Sequence, residues 1–392
     1  MDISKVDEIK LDYLRYKPGM NCLARYELKT HGNTIWAYAK AHGQDAGIKL
    51  EKSRDRPAIN SVLGPGRIVL KDQQITFSIF PNDAKLFNLQ CLSDSTYRKR
   101  LFTRVFGVDS PWRECVLDEI LNYKPERRYV TRLKRPDGQY ALAKFYTKRG
   151  YVKAHIISRK LNRNRFSHYP ETLGRSTKYK VVAYQWQPGI TLRQLNTCGK
   201  LSSSDLIATA ESLAELHGSA CDGLTLPDAG VQLDQLEALV VQLGVLLPHL
   251  HQRAENISQK LARWLNNQPP VRQPVHGDFY DKQAIVNNGK VKLIDLDAAC
   301  LGNPMLDLGN YIAHLESQAC NQALSGTEVE TQKNTLTNAY EQSTSHICID
   351  DLDRYTALGL FALIHHPFRD WSPVWPTQTE RLLERVENLL GS

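Results

Sequence analysis

Long apolar runs are missing from this sequence of 392 residues. A membrane-spanning helix needs about 20 consecutive, mostly apolar residues, and the most apolar stretch, 239–250, is interrupted by Gln242 and Pro248. The N-terminal segment MDISKVDEIK carries too many charges for a secretory signal. We therefore expect a cytoplasmic protein with no membrane partner.

Closely spaced cysteines are missing as well. The eight cysteines are scattered and include no C-x-x-C pair, so reduced thiols are favoured over zinc ligands or disulfides. Low-complexity segments are also absent. With 42% hydrophobic and 23% charged residues, the composition is that of a globular protein, and its length suits about two to three domains.

The sequence does contain a strong asymmetry of charge. Residues 1–199 carry 37 Lys and Arg against 18 Asp and Glu, a net charge of +19, whereas residues 200–392 carry 13 against 24, a net charge of −11. A basic half suits phosphates or nucleic acid, and an acidic half suits metal ions or a cationic small molecule. The two halves are therefore expected to bind different partners.

A segment near the N-terminus recurs at a constant offset of 107 residues. YKPGMNCLAR, residues 16–25, returns as YKPERRYVTR, residues 123–132. Each copy then passes through a polar turn with a glycine into an apolar strand that carries a lysine, Lys40 in the first copy and Lys144 in the second. The alternating residues around these turns predict β-hairpins.

The second half has longer, helical periods instead. Ser204 or Asp205 is expected to cap a helix. Residues 228–265 are predicted to form one or two helices, with a kink or break at Pro248. Two short strands are predicted around the turn 287–289, whose sequence is Asn-Asn-Gly. This half is therefore predicted to be mostly helical, with one hairpin.

The fold class predicted from these patterns is α+β, with a duplicated N-terminal unit. The two copies span about residues 8–92 and 114–197. We predict three domains: a first repeat at 1–113, which lacks a catalytic motif, a second repeat at 114–199, and a helical region at 200–392.

The strongest chemical signal is a pair of acidic motifs on the predicted hairpin. HGDFYDKQ occupies residues 276–283, and VKLIDLD occupies residues 291–297. Phosphoryl transfer needs a carboxylate that orients the attacking hydroxyl, oxygen ligands for Mg²⁺ and a cation on the nucleotide phosphates. A hairpin that carries both motifs can bring the required oxygens together.

These linked motifs resemble those of the aminoglycoside phosphotransferase and choline kinase superfamily, relatives of protein kinases, in which H-G-D-x-x-x-x-N is followed by I-D-x-D/E. The resemblance covers about residues 114–392 and implies a protein-kinase-like two-lobe fold that uses ATP and Mg²⁺. It implies that Asp278 is the base or orients the hydroxyl, that Gln283 and Asp295 hold Mg²⁺, and that Asp297 binds a second metal ion or its waters.

The same resemblance assigns further roles. It implies that His276 braces the loop and that Asp307 anchors the loop's backbone. Lys144, which lies 134 residues before Asp278, would contact the nucleotide phosphates; Lys40 would need a large insertion to play this part.

The resemblance also assigns a purine contact. Residues 183–189 resemble the segment in which backbone groups hold the adenine, here the carbonyl of Gln185 and the N–H of Gln187.

The sequence departs from the family pattern in two places. Gln283 stands where most relatives have asparagine, and its longer side chain shifts the metal-binding oxygen. No Asp or Glu occurs between Asp137 and Glu171, although a helical glutamate normally positions the kinase lysine.

No second H-G-D motif accompanies the first repeat. One active site is therefore expected, and the first repeat is expected to have a packing or regulatory role. Glu51 near Lys40 leaves open a swapped arrangement in which the first copy contributes to the site.

Three functions are compatible with these features. The first is an ATP-dependent phosphotransferase acting on a hydroxyl of a small molecule, with a cationic acceptor favoured over a sugar because the helical half is acidic. The second is a catalytically weak or inactive kinase-like binding protein. The third, the least favoured, is a nucleic-acid-binding protein that uses the basic half, for instance residues 127–135 with Tyr129 interleaved.

Overall fold

The computed structural model describes residues 2–43, 46–164, 168–220, 224–227, 229–344 and 351–391. Contacts divide the chain into two units. The first comprises Met1–His155, Glu171–Trp186 and Phe368–Pro373, and the second comprises Ile156–Pro170, Gln187–Pro367 and Val374–Ser392. Both copies of the repeat therefore lie mainly in the first unit, while the predicted domain bounds at 113/114 and 199/200 stay a prediction.

The first repeat forms a five-stranded antiparallel sheet. Its strands are β1 (Glu8–Lys17), β2 (Asn21–Thr30), β3 (Asn33–His42), β4 (Arg67–Leu70) and β5 (Ile75–Ile79), in the order β1-β2-β3-β5-β4. Helix α1 (Ala46–Arg54) lies between β3 and β4 in the chain, and helix α2 (Ser95–Phe106) follows the sheet. The side chain of Asp94 caps α2 by accepting the N–H groups of Thr96 and Tyr97.

The second repeat forms a sheet of the same design. Its strands are β6 (Val116–Lys124), β7 (Arg128–Lys134), β8 (Tyr140–Tyr146), β9 (Thr172–Ser176) and β10 (Val181–Gln185), in the order β6-β7-β8-β10-β9, with helix α3 (Lys148–Asn164) between β8 and β9. The order matches that of the first sheet strand for strand. The predicted duplication is thereby confirmed.

The two sheets pack through aromatic side chains within the first unit. Phe80, at the end of the first repeat, stacks on Tyr129 of β7 with ring centroids 5.3 Å apart, and Trp36 of β3 meets Tyr123 of β6 edge-on at 6.2 Å. Leucines and Phe102 from the connection between the repeats complete this core. Burial of this apolar surface is what stabilises the tandem arrangement.

The second unit is mostly helical. Its helices are α4 (Leu192–Thr197), α5 (Ser203–Gly218), α6 (Ala229–Leu246), α7 (His251–Asn266), α8 (Met305–Cys320), α9 (Gly326–Ser343), α10 (Leu352–Leu363), α11 (His366–Arg369) and α12 (Trp375–Leu389). Apolar residues of α6, α7, α8, α10 and α12 form one core. The helix break predicted at Pro248 is confirmed, because a short 3₁₀ turn at Pro248–Leu250 separates α6 from α7; Asp228, the predicted start of this region, lies outside the described residues.

The capping residue predicted for α5 is wrong by two or three positions. Ser202 is the cap, and its hydroxyl accepts the N–H of Asp205, whose carboxylate in turn accepts the N–H of Ser202. Asp205 is therefore the third residue of a reciprocal capping box rather than the cap.

Short strands complete the second unit. They are β11 (Ile190–Thr191), β12 (Gln273–Val275), β13 (Ala284–Asn287), β14 (Lys290–Leu293) and β15 (Cys300–Gly302). β13 and β14 form the predicted hairpin, β11 pairs with β13, and β12 pairs with β15. Among the helices of the described residues, none is long and apolar enough to span a membrane, and the six cysteines of these ranges are all free thiols.

Candidate active site

The loop of the H-G-D motif lies between β12 and β13 and is held by one buried carboxylate. Asp307, in the first turn of α8, accepts the backbone N–H groups of His276 at 2.6 Å and Gly277 at 2.8 Å. His217, at the end of α5, donates to the same carboxylate from Nε2 at 3.0 Å, and its Nδ1 lies 2.7 Å from the hydroxyl of Tyr340. Asp307 thus anchors the loop's backbone, as the resemblance implies.

Electrostatics favour the charged form of Asp307. Burial alone would raise the pKa of this carboxyl group, but the hydrogen bonds from His217 and from the His276 backbone more than offset it, so the pKa lies below its usual range. The negative charge is therefore kept at neutral pH, where it accepts three hydrogen bonds.

Gly277 is required by the path of this loop. Its φ is +77°, and a Cβ placed there would lie 2.6 Å from the carbonyl oxygen of Ala298. Any other residue would meet both an unfavourable left-handed conformation and a backbone clash. The glycine of the motif is therefore explained by geometry.

His276 connects the loop to the second acidic motif. The side chain is fully buried, and its Nε2 lies 2.9 Å from the carbonyl oxygen of Ile294, the residue before Asp295. Among the residues that the structure describes, none forms a hydrogen bond with Nδ1 of His276. The imidazole therefore braces the loop against the end of β14.

The predicted metal-binding residues lie at one end of the β13–β14 hairpin. Gln283 is buried just before β13, and its carbonyl oxygen accepts the N–H of Ile294 at 2.8 Å, which extends the strand pairing by one step. Asp295 follows in a left-handed conformation with φ 63° and ψ 39°, and Asp297 lies in the short 3₁₀ turn after it. Asp278 is exposed in the loop of the motif.

This donor set fits a hard cation. Amide and carboxylate oxygens are the ligands that Mg²⁺ and Ca²⁺ prefer, and aspartate tolerates the left-handed backbone of position 295 better than most residues. Within the described ranges, no three His, Cys, Asp or Glu side chains gather into a metal site; the predicted set combines carboxylates with the amide of Gln283.

Asp281 is a residue of this loop that the sequence analysis did not identify. Its side chain is buried, and its carboxylate accepts hydrogen bonds from Nε of Arg193 in α4 and from Nε2 of Gln318 in α8, the latter at 3.2 Å. The carbonyl oxygen of Asp281 also accepts the N–H of Arg193. Because both partners are far away in the chain, no local pattern marks this contact.

The nucleotide residues predicted from the resemblance lie on other elements. Lys144 is buried in β8 of the first unit, with Nζ 5.3 Å from the centre of the Tyr184 ring. Gln185 is the last residue of β10, whereas Gln187 begins a segment of the second unit. Helix α3, which follows β8, contains no acidic residue.

Lys40, the lysine of the first repeat, has a partner that was not predicted. Both carboxylate oxygens of Glu126 lie within 2.9 Å of its Nζ. Glu126 belongs to the turn between β6 and β7, so the lysine of the first sheet is paired with the hairpin turn of the second.

Comparison with known proteins places these motifs in one family. The model of the phosphotransferase enzyme family (APH) matches residues 120–341, more than half of the chain, and leaves the whole first repeat outside the match. Among the curated proteins compared, none matches this chain.

Solved structures share the fold. Amicoumacin kinase hAmiN, solved with AMP-PNP, Ca²⁺ and Ami, is 12% identical and has a TM-score of 0.54; the match covers 76% of this chain and 95% of that one. The choline kinase LicA from Streptococcus pneumoniae is 14% identical with a TM-score of 0.50, covering 71% of this chain and 94% of that one. The chain therefore belongs to the phosphotransferase enzyme family and has the protein-kinase-like fold of its kinases.

Proposed function

We propose that this protein transfers the γ-phosphoryl group of ATP to a hydroxyl group of a small, cationic molecule. The observation that carries the proposal is the geometry of the H-G-D loop. The buried Asp307 accepts backbone N–H groups of this loop, and Nε2 of His276 lies within hydrogen-bond distance of the carbonyl oxygen of Ile294, the residue before Asp295. This arrangement fixes the loop that carries Asp278 relative to the second acidic motif, and such positioning is most of what catalysis of phosphoryl transfer requires.

In the proposed reaction, Asp278 receives the acceptor hydroxyl. Its exposed carboxylate accepts the hydroxyl proton while the hydroxyl oxygen forms a bond to the γ-phosphorus. The bond between that phosphorus and the oxygen bridging to the β-phosphate breaks, and ADP leaves with the electron pair. The proton on Asp278 passes to solvent after the product departs.

Gln283 and Asp295 would hold Mg²⁺, and Asp297 would bind a second ion or its waters. When bound, Mg²⁺ neutralises charge on the phosphate oxygens. The hairpin keeps the side-chain amide of Gln283 and the carboxylate of Asp295 at the same end of its two strands. It does so through the hydrogen bond from the backbone N–H of Ile294 to the backbone carbonyl of Gln283.

Lys144 would bind the nucleotide phosphates, and the carbonyl of Gln185 and the N–H of Gln187 would bind the adenine. ATP as the donor is supported by the AMP-PNP in the structure of the amicoumacin kinase. The lysine is already desolvated in β8, so a phosphate that reaches it meets a positive charge weakly screened by water.

A cationic acceptor is supported by the charge of the helical half. Residues 200–392 carry 24 acidic side chains against 13 Lys and Arg, and such a surface attracts cations. Choline, the substrate implied by the name of the choline kinase LicA, is itself a cation. We therefore place amino alcohols and aminoglycosides ahead of neutral sugars.

The test is a nucleotide-consumption screen with ATP and Mg²⁺ over amino alcohols, aminoglycosides and sugars. We expect at least one cationic alcohol to stimulate consumption and to be recovered phosphorylated. Asp278→Ala should reduce that turnover by about 100-fold or more, the scale on which general acid–base groups contribute. Asp295→Asn should also reduce it, because this change weakens a proposed Mg²⁺ ligand. Asp234→Ala, an exposed acid of α6, is the matched control and should keep full turnover.

The same experiment separates the alternatives. Metal-dependent ATP binding without turnover of any acceptor would favour the inactive binding protein. Binding of nucleic acid with no measurable affinity for ATP would favour a role for the basic half in nucleic acid recognition. Full activity of Asp278→Ala would refute the proposed role of that residue.

A further inference from the structure

A small, strongly basic pocket lies next to Lys40 of the first repeat, and Glu126 of the second repeat also lines it. Its volume is about 190 Å³. Its described lining residues include five cations and a single carboxylate; the cations are Lys40, Lys49, Lys52, Arg56 and Lys85, and the carboxylate belongs to Glu126. The hydroxyl groups of Ser53 and Thr76 also line it. Positive charge in this pocket therefore exceeds negative charge by a wide margin.

Lys40 occupies the same position in the first sheet as Lys144 occupies in the second sheet. In the first sheet, Lys40 pairs across from Leu23 of β2. In the second, Lys144 pairs across from Val130 of β7, which lies 107 residues after Leu23. The two lysines thus occupy the same position of the same sheet design, although the first repeat has no H-G-D loop of its own.

Glu126 acts as the internal counter-ion of this pocket. Its side chain is only 2% exposed, and its carboxylate lies 2.8 Å from Lys40, 3.2 Å from Arg15 and 3.7 Å from Lys85. Burial would raise the pKa of Glu126, but the attraction of these three cations outweighs it, so the pKa is lowered and the group is charged at neutral pH.

Glu126 does not neutralise the other two lysines of the pocket, Lys49 and Lys52. Lys49 and Lys52 are exposed on α1, and no acidic side chain among the residues the structure describes forms an ion pair with either. The pKa of Lys17 is lowered by partial burial and by the positive charges of Arg15, Arg127, Lys85 and Lys40. Like charges are thus held close together in this part of the first unit, an arrangement that an additional anion would stabilise.

We propose that this pocket is a second ligand site, separate from the phosphotransferase site, and that it binds a phosphate-bearing anion. Phosphate oxygens would bind Lys49, Lys52 and Lys85 directly and would compete with the Glu126 carboxylate for Lys40. The ligand does not need to be transferred or hydrolysed, so this proposal is independent of the reaction proposed above.

The size of the pocket limits what it encloses. Pockets for drug-sized ligands measure roughly 300–1,000 Å³, so 190 Å³ suits a pyrophosphate group rather than a whole nucleotide. This pyrophosphate group belongs either to free pyrophosphate or to a nucleotide whose base and sugar stay outside the pocket.

The test is calorimetric titration of the 392-residue protein with inorganic pyrophosphate, without Mg²⁺. The double variant Lys49→Ala/Lys52→Ala should bind about tenfold more weakly than the unmodified protein. Lys10→Ala/Lys71→Ala removes the same number of charges from exposed positions of the same repeat outside the pocket, and it should bind as the unmodified protein does. Equal affinity in all three proteins, or an equal loss in both double variants, would overturn the proposal.

A third variant tests the role of Glu126. Glu126→Gln removes the competing charge while keeping the size of the side chain, and it should bind pyrophosphate several-fold more tightly. Unchanged or weaker binding by folded Glu126→Gln, checked by circular dichroism at the titration temperature, would contradict competition for Lys40. Repeating the titration with ATP distinguishes the two possible ligands. If Lys49→Ala/Lys52→Ala weakens ATP binding, the ligand is a nucleotide. If this variant weakens only pyrophosphate binding, the ligand is free pyrophosphate.

Discussion

At the scale of single residues, Glu126 shows how one side chain can serve two repeats. Its φ of 58° places it in a left-handed turn, where its backbone N–H donates to the buried carboxylate of Asp83 at 2.8 Å. The same Asp83 carboxylate accepts the hydroxyl of Tyr123 and the N–H groups of Lys85 and Leu86. The end of the first repeat therefore holds the hairpin turn of the second.

We predict that Glu126→Gln lowers the free energy of unfolding by about 3 kcal/mol at neutral pH, the lower end of the cost of removing one partner from a buried ion pair. The lower end applies because Lys40 and Arg15 keep 16% and 12% of their side chains exposed. Urea denaturation of both proteins measures the difference.

The pH dependence of this difference follows from the direction of the pKa shift. The pKa of Glu126 in the folded protein is lower than the usual glutamate value of 4.5. The stability that Glu126 contributes is therefore fully present above pH 4.5 and is lost as the pH falls through the folded-state pKa. The gap between the two proteins should shrink below about pH 4.5. Glu119→Gln, an exposed partner of Arg132, should cost less than about 1 kcal/mol; a gap that widens in acid would contradict this account of Glu126.

At the scale of elements, the position of the H-G-D loop depends on contacts with two helices, α5 and α8. α8 supplies Asp307 and Asn310, whose amide donates to the carbonyl of Phe279 at 2.7 Å, and α5 supplies His217. The loop is thus positioned by side chains of these two helices.

We predict that Asp307→Ala destabilises the protein by about 3 kcal/mol or more, because several buried donors lose their acceptor at about 1–3 kcal/mol each. The amide protons of His276 and Gly277 should lose protection in hydrogen exchange measured by NMR, and phosphoryl transfer should fall with them. Asp353→Ala is the control, since this acid of α10 is 61% exposed. Retained protection of both amides would show that another group holds the loop.

Much of the architecture could be predicted at this scale because its signals are local. The glycine turns, the break at Pro248 and the hairpin at 287–289 each depend on neighbouring residues. The repeat could be detected because two continuous segments of the sequence are similar. The contacts that were missed depend on residues far apart in the chain: Lys40 and Glu126 are separated by 86 positions, and Arg193 and Asp281 by 88. Such pairs leave no periodic pattern, so only the folded structure identifies them.

At the scale of the whole molecule, the chain carries two sheets of one design but one set of phosphotransferase motifs. The family match begins at residue 120, inside the second repeat, and the H-G-D motif occurs once. In the first repeat, the corresponding lysine is already paired with Glu126. The lysine of the first sheet therefore contributes to the contact between the repeats, and it also lines the anion pocket proposed above.

We propose that the chain has a single phosphotransferase site and that this site uses Lys144, the lysine of the second repeat. The most direct measurement is the KM for ATP in steady-state phosphoryl transfer by Lys144→Met, which removes the charge and keeps an unbranched apolar chain at this buried position. We predict a KM raised by about tenfold or more, the effect of losing roughly 1.4 kcal/mol of nucleotide binding, with no change for Lys134→Ala on the neighbouring strand β7. An unchanged KM for Lys144→Met, or a greater loss of turnover in Lys40→Ala, would contradict the account.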